Sequence, residues 1–176
     1  SVETVAFDVA DPDQAGPVLK DIIGRAATID ALVNNAGITA DDLFLMMKPA
    51  KWDTVIDVAL KGFYNVTKPV IKKMMRQKSG AVVTISSVAG VIGNRGQVNY
   101  SASKAGMIGM TRAAARELAS RGVTVNAVAP SLSPLEMERQ ITFPLEQAGA
   151  AHALMESSQH IGKIVLDVTD GGGGEA

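Results

Sequence analysis

The sequence lacks cysteine and is poor in histidine and aromatic residues. It contains two His, one Trp, two Tyr and four Phe among 176 residues. The absence of cysteine excludes disulfide bonds and thiolate metal sites, and it is compatible with a reducing cytoplasm. His152 and His160 are eight residues apart, a spacing more typical of surface or helix-end residues than of ligands. We therefore expect no metal site.

Long apolar runs and an excess of either charge are also absent. No run reaches the roughly 18 apolar residues that a membrane helix needs, and the opening SVETVAFDV has no basic segment followed by an apolar one. We expect neither a membrane span nor a secretory signal. The net charge of −1 favours no nucleic-acid partner, and 47% hydrophobic residues are typical of a globular protein.

Strand-like apolar runs alternate with helical patterns along the chain. We predict strands at 2–9, 31–34, 81–87, 123–129 and 163–168, and helices at 12–25, 51–77, 99–121 and 145–157. This alternation predicts an α/β fold, a parallel sheet with helices on both faces. We expect a single domain over 1–176, with a core at 1–139 and a divergent helix–strand unit with a glycine-rich tail at 140–176.

Local signals mark three points on these helices. Asp11 before Pro12 predicts a helix start, and Gly122 predicts a C-cap. Pro69 is expected to kink the helix at 51–77, because proline removes a backbone donor.

Both tyrosines have a lysine four residues later, Tyr64 with Lys68 and Tyr100 with Lys104. Residues four apart share one helix face, and an ammonium group beside a phenol favours the phenolate. Such a tyrosine can exchange a proton with a substrate oxygen. The spacing alone is weak evidence, and at least one of the two pairs is expected to be accidental.

The residues upstream distinguish the two pairs. Thirteen residues before Tyr100 is Ser87, at the end of the strand-like run AVVTISS, whereas Lys51 holds the same position before Tyr64. In open α/β sheets, functional groups collect at the carboxyl ends of strands. Ser87 fits that rule and Lys51 does not.

Ser87, Tyr100 and Lys104, with the run Asn-Asn-Ala-Gly ending at Gly37, resemble the short-chain dehydrogenase/reductase family. The run GNRGQVNYSASKAGMIGMT is similar to bacterial 3-oxoacyl-[acyl-carrier-protein] reductases of fatty acid biosynthesis. The resemblance covers about residues 2–137. It implies a Rossmann-like, three-layer fold.

The resemblance also implies roles for these residues. Tyr100 would donate a proton to the substrate carbonyl, Lys104 would assist it and hold the nicotinamide ribose, and Ser87 would orient the carbonyl. Outside the family context, Ser87 would be a strand-end cap and Tyr100 a half-buried core aromatic. The implied cofactor is NADP(H), with NAD(H) as the alternative, and the implied contact residues besides Tyr100 and Lys104 are Asp8, Val9, Asn35, Ala36, Gly37 and Pro130. Asp8 also fits an ordinary helix-capping acid.

The sequence departs from the family pattern in several places. It contains no glycine-rich turn of the type TGxxxGIG, because it begins at what resembles the family's third strand. Ala59 replaces the family's usual asparagine, which is thought to hold a water in the proton relay. Ser131 follows Pro130 in place of glycine, and Leu135 stands where the family often has threonine.

Residues 143–168 resemble instead the carboxyl end of quinone-reductase-like medium-chain dehydrogenases. The meeting of two resemblances near residue 140 suggests a fusion or an engineered recombinant. A metal-dependent alcohol oxidation borrowed from that family is disfavoured by the lack of cysteine.

Two hypotheses remain open. The chain could reduce a 3-oxoacyl thioester or similar ketone, free or carrier-bound, in the cytoplasm, as a homodimer or homotetramer. Alternatively, it could be a non-catalytic, family-derived module that associates through its helices without cofactor turnover. Cofactor binding discriminates between them.

Overall fold

The structure, a computed structural model, describes residues 3–130 and the two short strands at 140–144 and 163–167. The chain divides into two compact units, Ser1–Pro130 and Ser131–Ala176. The single-domain organisation stays a prediction. The regular elements of the first unit are α1 Pro12–Arg25, β1 Ala31–Asn34, α2 Pro49–Ile56, α3 Gly62–Gln77, β2 Gly80–Ile85, α4 Ala89–Ile92, α5 Val98–Leu118 and β3 Val123–Val128.

The three strands of the first unit form a parallel sheet in the order β1-β2-β3. Each connection steps in the same direction across the sheet, so right-handed crossovers place the connecting helices on one face. Helices α3 and α5 pack against that face. The opposite face carries Val33 and Val128, which are 57% and 48% exposed. The parallel α/β Rossmann-like prediction is confirmed, and coverage of the second face stays a prediction.

The core lies between the covered face of the sheet and helices α3 and α5. Met74 on α3 and Val82 on β2 are completely buried. Alternate strand residues enter this core, because successive side chains of a strand point to opposite faces. The remaining members of the cluster are Val70, Leu118, Val123 and Val125.

The predicted helix boundaries are largely confirmed. The Asp11 carboxylate accepts a hydrogen bond of 2.9 Å from the Asp13 amide and caps α1. After α5 a short 3₁₀ turn leads to Gly122, whose φ of +73° gives the left-handed conformation expected of a helix-ending glycine. The long helix predicted at 51–77 begins earlier, at Pro49, and contains a π-helical turn at Asp57–Lys61. Helix α3 continues through Pro69 without interruption.

The strand predicted at 2–9 is wrong for residues 3–9, which form no regular element. A strand exists only through hydrogen bonds to a neighbouring strand. The described sheet contains β1, β2 and β3 alone, and none of them pairs with this segment. Within the described residues, this segment therefore has no neighbouring strand with which to form hydrogen bonds.

The second unit contains two described strands, β4 Gln140–Pro144 and β5 Lys163–Asp167, which pair in parallel. The strand predicted at 163–168 is thus confirmed, whereas β4 was not predicted. The predicted helix at 145–157 and the glycine-rich tail lie outside the described residues. Among the described helices, none has the length and apolar character to cross a membrane.

Candidate active site

The three strands of the first unit end side by side, and the candidate site lies at this edge. Just beyond β2, the Ser86 amide donates to the Val128 carbonyl at 2.7 Å. The Val88 amide donates to the Pro130 carbonyl at 3.1 Å. The segment around Ser87 is therefore tied to the end of β3, where the sequence places Pro130.

Lys104 is buried under this edge, with 4% of its surface exposed. Its ammonium group donates a hydrogen bond of 2.7 Å to the Ile85 carbonyl, and its own carbonyl accepts one of 2.8 Å from the Ser86 hydroxyl. Burial lowers the pKa of Lys104, because desolvation disfavours the charged form. The end of β2 thus fixes both the backbone and the ammonium group of this lysine.

Tyr100 is partly buried, one turn before Lys104 on α5, and the Lys104 ammonium lies 5.6 Å from its ring centroid. In the other pair the contact is closer: the Lys68 ammonium lies 4.7 Å from the Tyr64 ring centroid and donates a hydrogen bond of 2.5 Å to the Tyr64 hydroxyl. The surroundings of the two pairs also differ. Tyr64 is 53% exposed and Lys68 is also exposed, whereas Lys104 is buried at the strand edge.

Ser87 is 7% exposed and follows β2 by two residues. Its hydroxyl accepts a hydrogen bond of 3.2 Å from the Ala89 amide at the start of α4. A hydroxyl that accepts in this way still has a proton to donate. Ser87 can therefore both cap the turn and donate to a carbonyl oxygen.

The loop after β1 contains Asn35, Ala36 and Gly37, all of them exposed. A Cβ atom on Gly37 would lie 3.2 Å from the Lys104 ammonium, so this loop passes directly over the lysine. Val9 lines a cavity of about 130 Å³ together with Asn35 and Ala36. The loop therefore borders Val9 on one side and Lys104 on the other.

Asp8 is exposed beside Val9, and its carboxylate accepts a hydrogen bond of 2.8 Å from the Ala10 amide. The predicted alternative for Asp8 was an ordinary helix-capping acid, but the carboxylate that caps α1 is that of Asp11, and Asp8 caps the turn before it. The free carboxylate oxygen leaves room for a hydroxyl donor as well.

The loop after β1 and Lys104 fit a nicotinamide cofactor. A side chain at Gly37 would press against the Lys104 ammonium group, and the loop residues 35–37 are exposed to solvent. Lys104, Tyr100 and the Asn35–Gly37 backbone would hold the nicotinamide end. Within residues 3–130, no three His, Asp or Glu side chains lie close enough together to bind a metal ion. His152 and His160 lie outside the described residues.

Sequence reasoning missed two residues that organise this site. Ser86 anchors the Lys104 carbonyl, and Asn99 lies completely buried directly before Tyr100. Neither follows a periodic pattern. The only signal in the sequence was that each residue stands next to a predicted site residue, Ser86 before Ser87 and Asn99 before Tyr100. Adjacency alone does not show that a residue has a structural role.

Residues 1–144 match the profile of the short chain dehydrogenase family. The chain belongs to this family. The family match confirms the resemblance drawn from Ser87, Tyr100 and Lys104. It ends at residue 144, and the second resemblance, of residues 143–168 to medium-chain dehydrogenases, finds no support and is corrected: a short helix–strand pattern occurs in many α/β proteins.

Among curated relatives, the 3-oxoacyl-[acyl-carrier-protein] reductase FabG of Staphylococcus aureus is 49% identical over 143 residues, which cover 81% of this chain and 58% of that protein. Among solved structures, ElxO with NADP bound has a TM-score of 0.71 and 34% identity, covering 74% of this short-chain dehydrogenase and 53% of that chain. NAD⁺-bound xylitol dehydrogenase has a TM-score of 0.69 and 29% identity, with 72% and 49% covered. This chain thus spans a little over half the length of the FabG relative.

Proposed function

We propose that this short-chain dehydrogenase reduces the ketone of a 3-oxoacyl thioester to the 3-hydroxy product with NADPH. The observation that supports it best is the placement of Lys104. Its buried ammonium group lies beside the Tyr100 ring and directly under the Gly37 loop. The similarity to FabG, a 3-oxoacyl-[acyl-carrier-protein] reductase by name, supports the substrate class.

Each residue has a definite task in this proposal. NADPH, when bound, supplies the hydride that adds to the ketone carbon. Tyr100 donates its phenolic proton to the carbonyl oxygen as the C–O double bond becomes a single bond. Lys104 stabilises the phenolate that remains, since an ammonium group favours a neighbouring anion. The Ser87 hydroxyl donates a hydrogen bond that orients the carbonyl before transfer.

The choice of NADPH over NADH rests on the solved structure of ElxO, which is named with NADP bound. Xylitol dehydrogenase, named as NAD⁺-bound, makes NADH the alternative. No glycine-rich turn of the dinucleotide-binding type occurs in the sequence. In other nucleotide-binding folds that turn lies against the pyrophosphate, so affinity for the cofactor is the first property to measure.

Titration of nicotinamide fluorescence with the purified chain tests cofactor binding. We expect saturable binding that is tighter for NADPH than for NADH. Absence of binding at millimolar cofactor would overturn the proposal for this chain and favour the alternative, an associating module without turnover.

Reduction of acetoacetyl thioester, followed by loss of NADPH absorbance, tests the chemistry. The two tyrosine–lysine pairs provide a matched control within one chain. Tyr100→Phe is expected to reduce kcat by about 100-fold or more, the usual contribution of a general acid. Tyr64→Phe removes the exposed tyrosine and is expected to leave kcat unchanged. Equal effects of the two variants would contradict the assignment of Tyr100.

The proposal carries further predictions about the environment of the protein. A carrier-bound acyl substrate would place the chain in the cytoplasm. Association into a homodimer or homotetramer is expected from the family, and sedimentation velocity would measure it.

A further inference from the structure

Asn99 is completely buried, yet its side chain is polar and lies directly before Tyr100. Its amide nitrogen donates hydrogen bonds of 3.1 Å to the Ala40 carbonyl and 3.2 Å to the Lys51 carbonyl. Its amide oxygen accepts a hydrogen bond of 2.8 Å from the Tyr100 backbone N–H. Both donor hydrogens and one acceptor position of this amide are therefore used.

The bond to the Tyr100 amide has a specific structural purpose. The first N–H groups of a helix lack partners within the helix, and α5 begins at Val98. Tyr100 is the third residue of α5, so its N–H depends on a partner from outside the helical ladder. Asn99 supplies that partner and satisfies a group that would otherwise be left without a hydrogen bond.

The other two bonds connect α5 to the surroundings of the site. Ala40 lies three residues after Gly37, on the continuation of the loop that passes over Lys104. Lys51 lies in the first turn of α2. Asn99 therefore joins the start of α5, the end of the Gly37 loop and the start of α2 through a single buried amide. A displacement of any of the three would be transmitted to the Tyr100 backbone.

We infer that Asn99 is a positioning residue, which sets the place of the Tyr100 phenol relative to Lys104 and the Gly37 loop. The inference rests on the proposed reduction for its catalytic consequence, but its structural content can be measured without turnover. Asn99 acts through the backbone, because both of its donor hydrogens and one acceptor position bind backbone groups.

Hydrogen exchange of the unmodified protein gives the most direct test. The Tyr100 amide is expected to exchange at least about 100-fold more slowly than the Val98 amide, because Asn99 occupies it while the first helical N–H groups ordinarily remain free. Exchange of the Tyr100 amide as fast as that of Val98 would overturn the inference.

Fluorine NMR tests the position of the phenol itself. In a Tyr64→Phe background labelled with 3-fluorotyrosine, Tyr100 is the only tyrosine and gives a single reporter. Asn99→Asp preserves the shape of the side chain but removes both donor hydrogens, and Asn99→Ala removes the whole amide. Both are expected to shift or split the Tyr100 resonance. The matched control is Thr111→Val. Thr111 lies on the same helix as Tyr100, and its hydroxyl donates a buried hydrogen bond of 3.0 Å to Thr84 on β2. Loss of that bond is expected to leave the Tyr100 resonance unchanged.

Kinetics separate positioning from general loss of stability. Asn99→Ala is expected to reduce kcat by about 10-fold or more with the KM for NADPH within about twofold, while Thr111→Val lowers the melting temperature to a similar degree with kcat retained. An inactive parent protein would overturn the proposed reduction, and the exchange and NMR results would still decide the role of Asn99. An unchanged Tyr100 resonance in both Asn99 variants would overturn the positioning role.

Discussion

Gly37 and Lys104 approach each other so closely that a Cβ atom on Gly37 would lie 3.2 Å from the lysine ammonium. The contact links the loop after β1 to the helix that carries Tyr100. Because the neighbouring atom is the far end of a flexible side chain, a small side chain at position 37 would displace the ammonium rather than the backbone.

Gly37→Ala is therefore expected to lower the free energy of unfolding by about 1 kcal/mol, because the displaced ammonium group strains its buried hydrogen bond to the Ile85 carbonyl. It should reduce kcat for acetoacetyl thioester by severalfold, since the ammonium group beside Tyr100 shifts slightly and catalysis is sensitive to such misplacement. Gly109→Ala is the control. Gly109 is an exposed residue of α5, and a Cβ atom added there would have no neighbour within 4 Å, so alanine should stabilise the protein by about 1 kcal/mol and retain kcat. Full activity of Gly37→Ala would contradict the role given to this contact.

Gly90 places α4 directly on α5. A Cβ atom there would lie 2.7 Å from the Ala105 nitrogen and the Lys104 carbonyl carbon, which are backbone atoms and have little freedom to move. Gly90→Ala is expected to lower the free energy of unfolding by about 1–3 kcal/mol, the usual cost of overpacking. Urea denaturation followed by circular dichroism measures it.

The matched control is Gly24→Ala on α1, where an added Cβ atom would have no neighbour within 4 Å. It should stabilise the protein slightly through helix propensity. A Gly90→Ala protein as stable as Gly24→Ala would show that α4 can move away from α5 at little cost.

Sequence patterns predicted the parts of the fold that depend on local signals. Asp11 and Gly122 marked helix ends through their own backbone chemistry, and both act as predicted. The segment at 2–9 failed because a strand depends on a distant partner rather than on its own apolar alternation. The π-helical turn at Asp57–Lys61 was equally out of reach, since one inserted residue per turn leaves little trace in the spacing of apolar residues.

The candidate site divides in the same way. Spacing found Tyr100 and Lys104 but could not separate them from Tyr64 and Lys68, and burial supplied the missing distinction. Asn99 was missed because its importance lies in three hydrogen bonds to backbone groups. Two of these partners, Lys51 and Ala40, are 48 and 59 residues away in sequence. Such partners follow from the packing of α5 against α2 and the Gly37 loop, which no local pattern encodes.

The lowered pKa of Lys104 makes the stability of the protein depend on pH. Burial holds this pKa below the ordinary value of 10.5, so between the two values the unfolded chain binds more protons than the folded one. The penalty for burying the charge is fully present below the folded pKa and disappears as pH rises toward 10.5. The contribution of Lys104 to the free energy of unfolding is therefore expected to rise with pH across this interval.

Urea denaturation at several values between pH 7 and pH 10 measures this contribution, as the difference between the parent and Lys104→Met. Lys72→Met, which removes an exposed lysine of α3, corrects for the general effect of losing one positive charge. A difference that falls with pH would mean that nearby groups stabilise the Lys104 ammonium more than burial disfavours it.

Ala59 occupies the position at which the family resemblance implies an asparagine. It is 2% exposed, lies within the π-helical turn and lines the cavity of about 130 Å³ shared with Asn35 and Met107. Turns of this kind are frequent at functional sites. Because the cavity borders the Asn35 side of the loop, an amide at position 59 has both space and polar neighbours.

Ala59→Asn is therefore expected to fold with a free energy of unfolding within about 1 kcal/mol of the parent and to raise kcat by severalfold or more, as a water held by the amide completes the proton path to Lys104. Ala59→Leu, which fills the same cavity without polar atoms, should not raise kcat. An increase in both variants would assign the gain to packing of the π-helical turn. An unchanged kcat in a well-folded Ala59→Asn protein would show that the proton reaches Tyr100 and Lys104 by a route that does not pass position 59.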